Sequence, residues 1–409
     1  MIEAASPAYY RATLALCLGS FIVFGNLYIT QPLFPLLRQL FELSALQATW
    51  SLALALLTLG LSLLVWGPLS DSLGRRKIMV LTLLGASLIT LLIPSTDSYA
   101  GLLVLRMVQG LLLGGVPAIA IAYMGDEFNK PALLLAVGLY ISANSLGGIS
   151  GRLIGGSITD LADWQSAFYV MGGLSLLGVA LFAKLLPPSQ QFQPRPLRFK
   201  TMTTDLAGHL KNPLLVTAYI IGGLNFFIFS NQYSYITYVL NDAPFNLAPT
   251  WLGLLFLTYL TGSFGSAISG RISQRISQPL CMLVGIIVLM LGTLLTLTQT
   301  LPGIIGGLLI NSFGFFLCHS ICSAWVNRHA EQARASASSL YLVAYYLGAS
   351  VGGFYLDPFW QQGGWSGVVV GSLLVLVVTA GLAFSLFYRQ QGLRFQESAP
   401  TIAKPVQPG

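Results

Sequence analysis

Within eleven residues, Gly67-Pro68-Leu69-Ser70-Asp71-Ser72-Leu73-Gly74-Arg75-Arg76-Lys77, the chain sets one carboxylate and three cations between two long apolar runs. So short a turn does not fold alone, and its glycines and charges must dock against neighbouring helix ends. Two further clusters lie inside apolar runs: Arg106-x-x-Gln109-Gly110 and Gly147-x-x-x-Gly151-Arg152-x-x-Gly155-Gly156. Burying an arginine in a hydrocarbon setting costs at least about 2.5 kcal/mol, so each needs a reason. Arg106 and Arg152 stand about five and eight residues from a run's end, roughly 8 and 12 Å of helix, so a functional role and snorkelling to the surface are both open. Glycines at spacing four make a flat stripe that lets a facing helix come close.

The elements that must position these groups are membrane spans. Hydrophobic residues make up 55% and charged residues 8% of 409, against about 25% charged in soluble domains, so lipid must cover most of the surface. A hydrocarbon core of about 30 Å takes roughly 20 apolar residues per helix. Such runs fall at 12–36, 46–69, 78–95, 100–124, 132–158, 165–186, 214–239, 250–272, 279–299, 303–326, 336–356 and 365–388. Only helices and closed barrels satisfy the backbone in lipid, and the alternating strands of a barrel are absent. The expectation is an all-α membrane protein. The first run is too long for a cleavable leader and is expected to be retained.

Lys and Arg collect in alternate connections, at Arg11, Arg75, Arg76, Lys77, Lys130, Arg195, Arg198, Lys200, Lys211, Arg275, Arg328, Arg334, Arg389 and Arg394, whereas the others hold Arg38 beside Glu42, Asp97, Asp160, Asp163, Asp242 and Asp357. The positive-inside rule then puts both termini in the cytoplasm. This bias explains the net charge of +7 and points to anionic membrane lipid as a partner, not nucleic acid. The polar, basic stretch 187–213 divides the chain into halves, 1–186 and 214–390, with a tail at 391–409. Residues 201–211 could form a short surface helix, but a plain linker is favoured. Leu139-Tyr140, Leu146-Gly147 and Gly151 recur 201 residues later as Leu340-Tyr341, Leu347-Gly348 and Gly352, so one repeat unit is used twice. Cys318-His319-x-x-Cys322 suggests zinc, but a metal site needs more ligands in fixed geometry. Packing is expected there, with no metal and no cofactor.

The segment 67–77 resembles the signature loop between spans two and three of the major facilitator superfamily, departing from it at Ser72, where the family has a basic residue. Arg106-x-x-Gln109-Gly110 resembles the family's span-four motif. The span-five glycines resemble those of its drug and proton antiporters, except that Arg152 stands where those have proline. That arrangement is similar to a bacterial subgroup related to the acriflavine-sensitivity and arabinose-efflux transporters. The resemblance implies the superfamily fold, two six-helix bundles with the cargo between them, in a bacterial inner membrane. It also implies that Asp71 caps a neighbouring helix end and pairs with basic groups; Arg75 and Arg76 could pair with Asp126 or Glu127 and hold the inner face shut.

No Asp or Glu falls in the middle of a run, which leaves a cationic drug without a counter-ion. Two arginines facing a cavity would suit an anionic or neutral polar cargo. Mid-depth polar residues are the binding candidates: Asn26, Tyr28, Thr30, Gln31, Tyr140, Asn144, Asn225, Asn231, Gln232, Tyr233, Asn311, His319, Tyr345 and Tyr346. The proton candidates are Asp71, Asp126, Glu127 and His319, the last an embedded group that titrates near neutrality. The expected function is secondary transport of a small organic solute by a monomer, outward in direction and with protons as a possible second cargo. An importer or exchanger of organic anions, a multidrug proton antiporter and a non-transporting receptor or scaffold stand beside it. No nucleophile with a base marks an enzyme, and no phosphate-binding loop marks ATP drive.

Overall fold

The computed structural model describes residues 1–194, 199–330 and 332–398. Linker positions 195–198 and tail positions 399–409 lie outside the described residues. Among the described residues, eleven helical segments are long and apolar enough to cross a membrane. They are span one (Pro7–Leu40), two (Ala45–Leu73), three (Arg75–Ser95), four (Tyr99–Glu127), five (Lys130–Leu161), six (Trp164–Leu185), seven (Pro213–Asn241), eight (Pro249–Ile272), nine (Gln278–Thr298), ten (Leu301–His329) and a final stretch, Arg334–Gln390. At 57 residues that stretch exceeds any single crossing, which takes roughly 20. It leaves the helical conformation at Gly364 (φ 53°, ψ −136°), so 334–363 and 365–390 are spans eleven and twelve. Twelve crossings put both described ends on one face, called here the terminal face; the opposite one is the far face.

Local chemistry sets the span ends. Ser6 caps span one, accepting from the Tyr9 N–H at 3.2 Å with Pro7 in the first turn, and Ser44 with Gln47 forms a capping box on span two. Pro32 and Pro35 tighten span one into a 3-10 turn at Gln31–Leu33, after which a helix resumes at Phe34–Leu40. The 67–77 segment is helical rather than a loop. Span two runs to Leu73, span three starts at Arg75, and Gly74 alone turns the chain at φ 104°, a value that favours glycine. The linker also differs from expectation, because Phe199–Lys211 forms a helix. Its His209 Nε2 lies 3.2 Å from Ala333 O, which ties it to the second half.

The glycine stripes shape both halves. A Cβ on Gly147 would lie 2.5 Å from Phe21 O, and one on Gly151 would lie 2.6 Å from Gly25 Cα, so span five packs backbone to backbone on span one. In the second half Gly348 and Gly352 press span eleven onto Gly223 and Phe227 of span seven in the same way. The duplication seen in sequence is thus one packing solution used twice.

The halves touch each other on the far side. Gln31 Nε2 donates to Ser234 Oγ at 3.2 Å, the Tyr238 hydroxyl to Ala45 O at 2.8 Å, and the Thr250 N–H to Asp160 Oδ2 at 2.8 Å. Trp50 stacks on Phe354 with centroids 6.0 Å apart. Nearer the middle, Gly60 is so close to Tyr346 that a Cβ would come within 2.8 Å of its Cβ. Among the described residues, no hydrogen bond or ion pair joins the spans of the two halves on the terminal side. The far side is closed.

Candidate functional site

Arg152 lies where this closure meets the middle of the protein. It is 1% exposed, so it does not snorkel. Its place follows from three glycines. Gly151 draws span five onto span one, while Gly156 and Gly253 let spans five and eight approach across the halves. A Cβ at Gly253 would lie 2.7 Å from Arg152 O. The guanidinium carbon sits 3.9 Å from the ring centre of Tyr28, 4.1 Å from that of Phe256 and 4.9 Å from that of Tyr259. Nε donates to Gln31 Oε1 and Nη1 to Gly148 O, each at 2.9 Å. Nη2 donates to no described residue, and no carboxylate pairs with the group. Desolvated cation–π contacts contribute about 2 kcal/mol each, enough beside the hydrogen bonds to offset the burial penalty without an anion.

Arg106, fully buried as well, is held differently. Nε donates to Ser51 O at 2.8 Å, Nη1 to Asn26 O at 2.9 Å and also to Gln109 Oε1, and Nη2 to Leu27 O at 2.5 Å. Asn26, Thr90, Gln109 and Ser175 complete the knot: the Thr90 hydroxyl donates to Asn26 Oδ1 and Gln109 Nε2 to Thr90 Oγ1, both at 2.6 Å, and Asn26 Nδ2 donates to Ser175 Oγ at 2.8 Å. Gly110 lets span four close on Ala55 of span two. Arg106 neither snorkels nor faces the other half; it clamps spans one, two and four together.

The remaining candidates divide. Gln232, Thr293 and Asn311 form the matching knot of the second half, with Asn311 Nδ2 donating to Gln232 Oε1 at 2.8 Å. Asn231 donates to Ala349 O at 2.9 Å and fastens span seven to span eleven. Asn225 is 1% exposed with neither side-chain atom partnered. Half-buried Asn144 accepts from Ser20. His319 Nδ1 lies 2.9 Å from the Tyr341 hydroxyl, beside the rings of Phe315 and Tyr345. Cys322 turns away from it to Ala218 O at 3.2 Å.

At the terminal face, Arg75 Nη1 pairs with Asp71 at 2.9 Å and its Nε with Asp126. Arg76 binds the end of span six, donating to Ala183 O at 2.6 Å and Leu186 O at 3.0 Å. Glu127 accepts from the Gln191 N–H at 2.9 Å instead of from an arginine. Asp71 pairs within its own turn and caps no neighbouring helix. The whole cluster lies within the first half, so it braces spans two, three, four and six and does not bolt the halves together. Gly67 meets nothing within 4 Å of a Cβ.

Sequence reasoning missed two features. Asp357, read as a connection residue, is a helical residue of span eleven, 7% exposed, accepting from the Tyr235 hydroxyl at 3.2 Å and from Gln361. The absence of embedded carboxylates is therefore corrected by one. Phe256, Tyr259 and Gly253 of span eight were missed because an aromatic or glycine there carries no signal until its partner Arg152 is located.

Two duplicated six-span halves, closed around a buried cation, define a membrane-embedded transporter. The Major Facilitator Superfamily model matches residues 16–353, and the chain belongs to that family. It is 38% identical to the inner membrane transport protein YnfM of Escherichia coli (strain K12), covering 92% of this chain and 90% of that one. It is 36% identical to the uncharacterized MFS-type transporter YybF of Bacillus subtilis (strain 168), covering 93% and 95%. A bacterial homolog of the human lysosomal transporter Spinster, solved inward-facing and unoccupied, superposes with a TM-score of 0.72 at 15% identity, over 94% of this chain and 98% of that one.

Proposed function

We propose that the protein exports a small organic anion across a bacterial inner membrane by secondary, alternating-access transport. The observation that carries the cargo class is Arg152. It is a buried guanidinium between the halves, with no carboxylate partner and one nitrogen unused. An anion reaching it adds a charge-assisted hydrogen bond and neutralises a charge that the fold itself leaves unbalanced.

The excess of Lys and Arg on the terminal face supports cytoplasmic termini, with anionic lipid around them. In that orientation the closed far side makes this an inward-facing state, ready to load from the cytoplasm. Export is the direction that the resemblance to efflux transporters favours. Proton coupling is best served by His319, because Asp71 and Asp126 are engaged by Arg75, Glu127 accepts a backbone N–H, and Asp357 accepts from Tyr235 and Gln361. Rocking the halves would break the far-side contacts and expose Arg152 to the other face.

The test is uptake of labelled organic anions into proteoliposomes by parent, Arg152→Lys and Arg152→Gln proteins. Saturable flux that falls in the Gln variant and is partly kept by Lys supports the reading. Flux of cations alone, or anion flux indifferent to Arg152→Gln, overturns it.

A further inference from the structure

We infer that the cargo is a planar aromatic monocarboxylate, its carboxylate on Arg152 and its ring against the aromatic surface that runs from there toward the terminal face; this rests on the anion-transport reading above. Charge counting sets the single negative charge. Every nitrogen of the Arg106 guanidinium is committed to a backbone carbonyl or to Gln109, which leaves one cation with donor capacity. The repeat supports this, since the position 201 residues after Arg152 is Gly353, packed on Leu46 and Thr49 of span two. One half carries the charge and the other does not.

The body of the cargo is read from the rings. From Tyr259, beside Arg152, the path goes to Phe229 with centroids 5.2 Å apart, then to Phe315 at 3.8 Å with the planes 3° apart. It continues to His319 at 6.0 Å and 10°. Phe226 and Tyr345 stack beside it at 3.8 Å and 13°, and Tyr345 lies 4.6 Å from His319. Phe229, Phe315 and Phe226 are buried, at 0%, 1% and 3% exposed, and form the wall behind, whereas Tyr28, His319 and Tyr345 are half-buried and are the rings that can meet a cargo. The Tyr28 and Tyr259 rings lie against the guanidinium itself, with centroids 3.9 and 4.9 Å from its carbon. Flat rings prefer offset-stacked or edge-to-face partners, and a saturated body of equal volume forgoes that contact.

The experiment is a thermal-shift titration of the purified full-length protein in detergent. Its ligands are 2-naphthoate, the decahydronaphthalene carboxylate of the same skeleton, acetate and 1-methylquinolinium. Parent, Arg152→Lys, Arg152→Gln and Tyr345→Leu proteins are compared. Naphthoate is expected to bind about tenfold tighter than its saturated analogue, an advantage that shrinks in Tyr345→Leu. In Arg152→Gln its affinity is expected to fall by about tenfold or more, with part retained by Lys. Equal affinity for the two carboxylates would overturn the aromatic cargo and leave the anion reading standing. Naphthoate binding unchanged in Arg152→Gln, or stabilisation by the quinolinium alone, would overturn both. No saturable stabilisation by either bicyclic carboxylate, with anion flux still present in proteoliposomes, would overturn the inference alone.

Discussion

Replacing Gly156 with Val tests how the far side closes. A Cβ at Gly156 would lie 2.8 Å from the carbonyl carbon of Pro249 and 3.2 Å from Thr250 Cα. Both obstacles are backbone of the other half, which cannot rotate aside as a side chain can. Overpacking of this kind costs about 1–3 kcal/mol. Here it acts only on the state in which spans five and eight meet, so the closed population should fall by a factor of roughly 5 to 150. The reporter is a cysteine at Ser234, which is 3% exposed and receives a hydrogen bond from Gln31 across the halves, in a background where Cys17, Cys281, Cys318 and Cys322 are serine. Gly156→Val should raise its labelling rate by that factor without lowering the melting temperature much. Gly151→Val is the contrast, because its clash, 2.6 Å from Gly25 Cα, lies within one half. It should lower the melting temperature and leave the labelling rate of folded protein alone. Unchanged labelling in a folded Gly156→Val protein refutes the role of Gly156 in the far-side closure.

Three further outcomes follow from the same geometry. Asp71→Asn and Asp126→Asn each remove one partner of Arg75, and with the carboxylates 42% and 34% exposed the stability change should stay below about 1 kcal/mol; proteoliposome flux should nevertheless drop, and full flux in both variants would rule out a cycling role for the cluster. Arg106→Leu strips donors from the carbonyls of Ser51, Asn26 and Leu27 and should destabilise by about 3 kcal/mol or more, read as thermal unfolding in detergent; a variant as stable as the parent would mean that Arg106 is no clamp. His319→Gln should flatten the dependence of flux on pH, whereas an unaltered profile would move the proton to another group.

The spans were legible because lipid demands long apolar runs, and the glycine stripes because close backbone approach has a fixed spacing on a helix. Arg106 and Arg152 could be singled out but not told apart. On sequence each is an arginine in an apolar run, and what separates them is the partner, carbonyls of two neighbouring spans for one and rings from the opposite half for the other. Asp357 was misplaced because the hydropathy of span eleven fades before its helix does. The turn at Gly74 was read as a loop because charge and glycine look alike whether the backbone is coiled or helical.

Alternating access asks for strong contacts within each half and weak ones between, and the polar residues are distributed that way. Within the first half, Arg106, Gln109, Asn26 and Thr90 share a dry network in which a broken bond leaves a buried polar group unsatisfied, at about 1–3 kcal/mol each. Gln232, Thr293 and Asn311 do the same in the second. Between the halves the three far-side hydrogen bonds contribute only about 0.5–1.5 kcal/mol each, and groups at the rim regain water when they part. Among these crossing contacts Asp160 and Arg38 are exposed, whereas Arg152 is a charge that is buried, at 1% exposed. Its charge makes separation from Phe256 and Tyr259 expensive unless something else neutralises it, and an anion would do so. The fold thereby makes rocking of the halves depend on the cargo, through one residue that the duplicated half lacks.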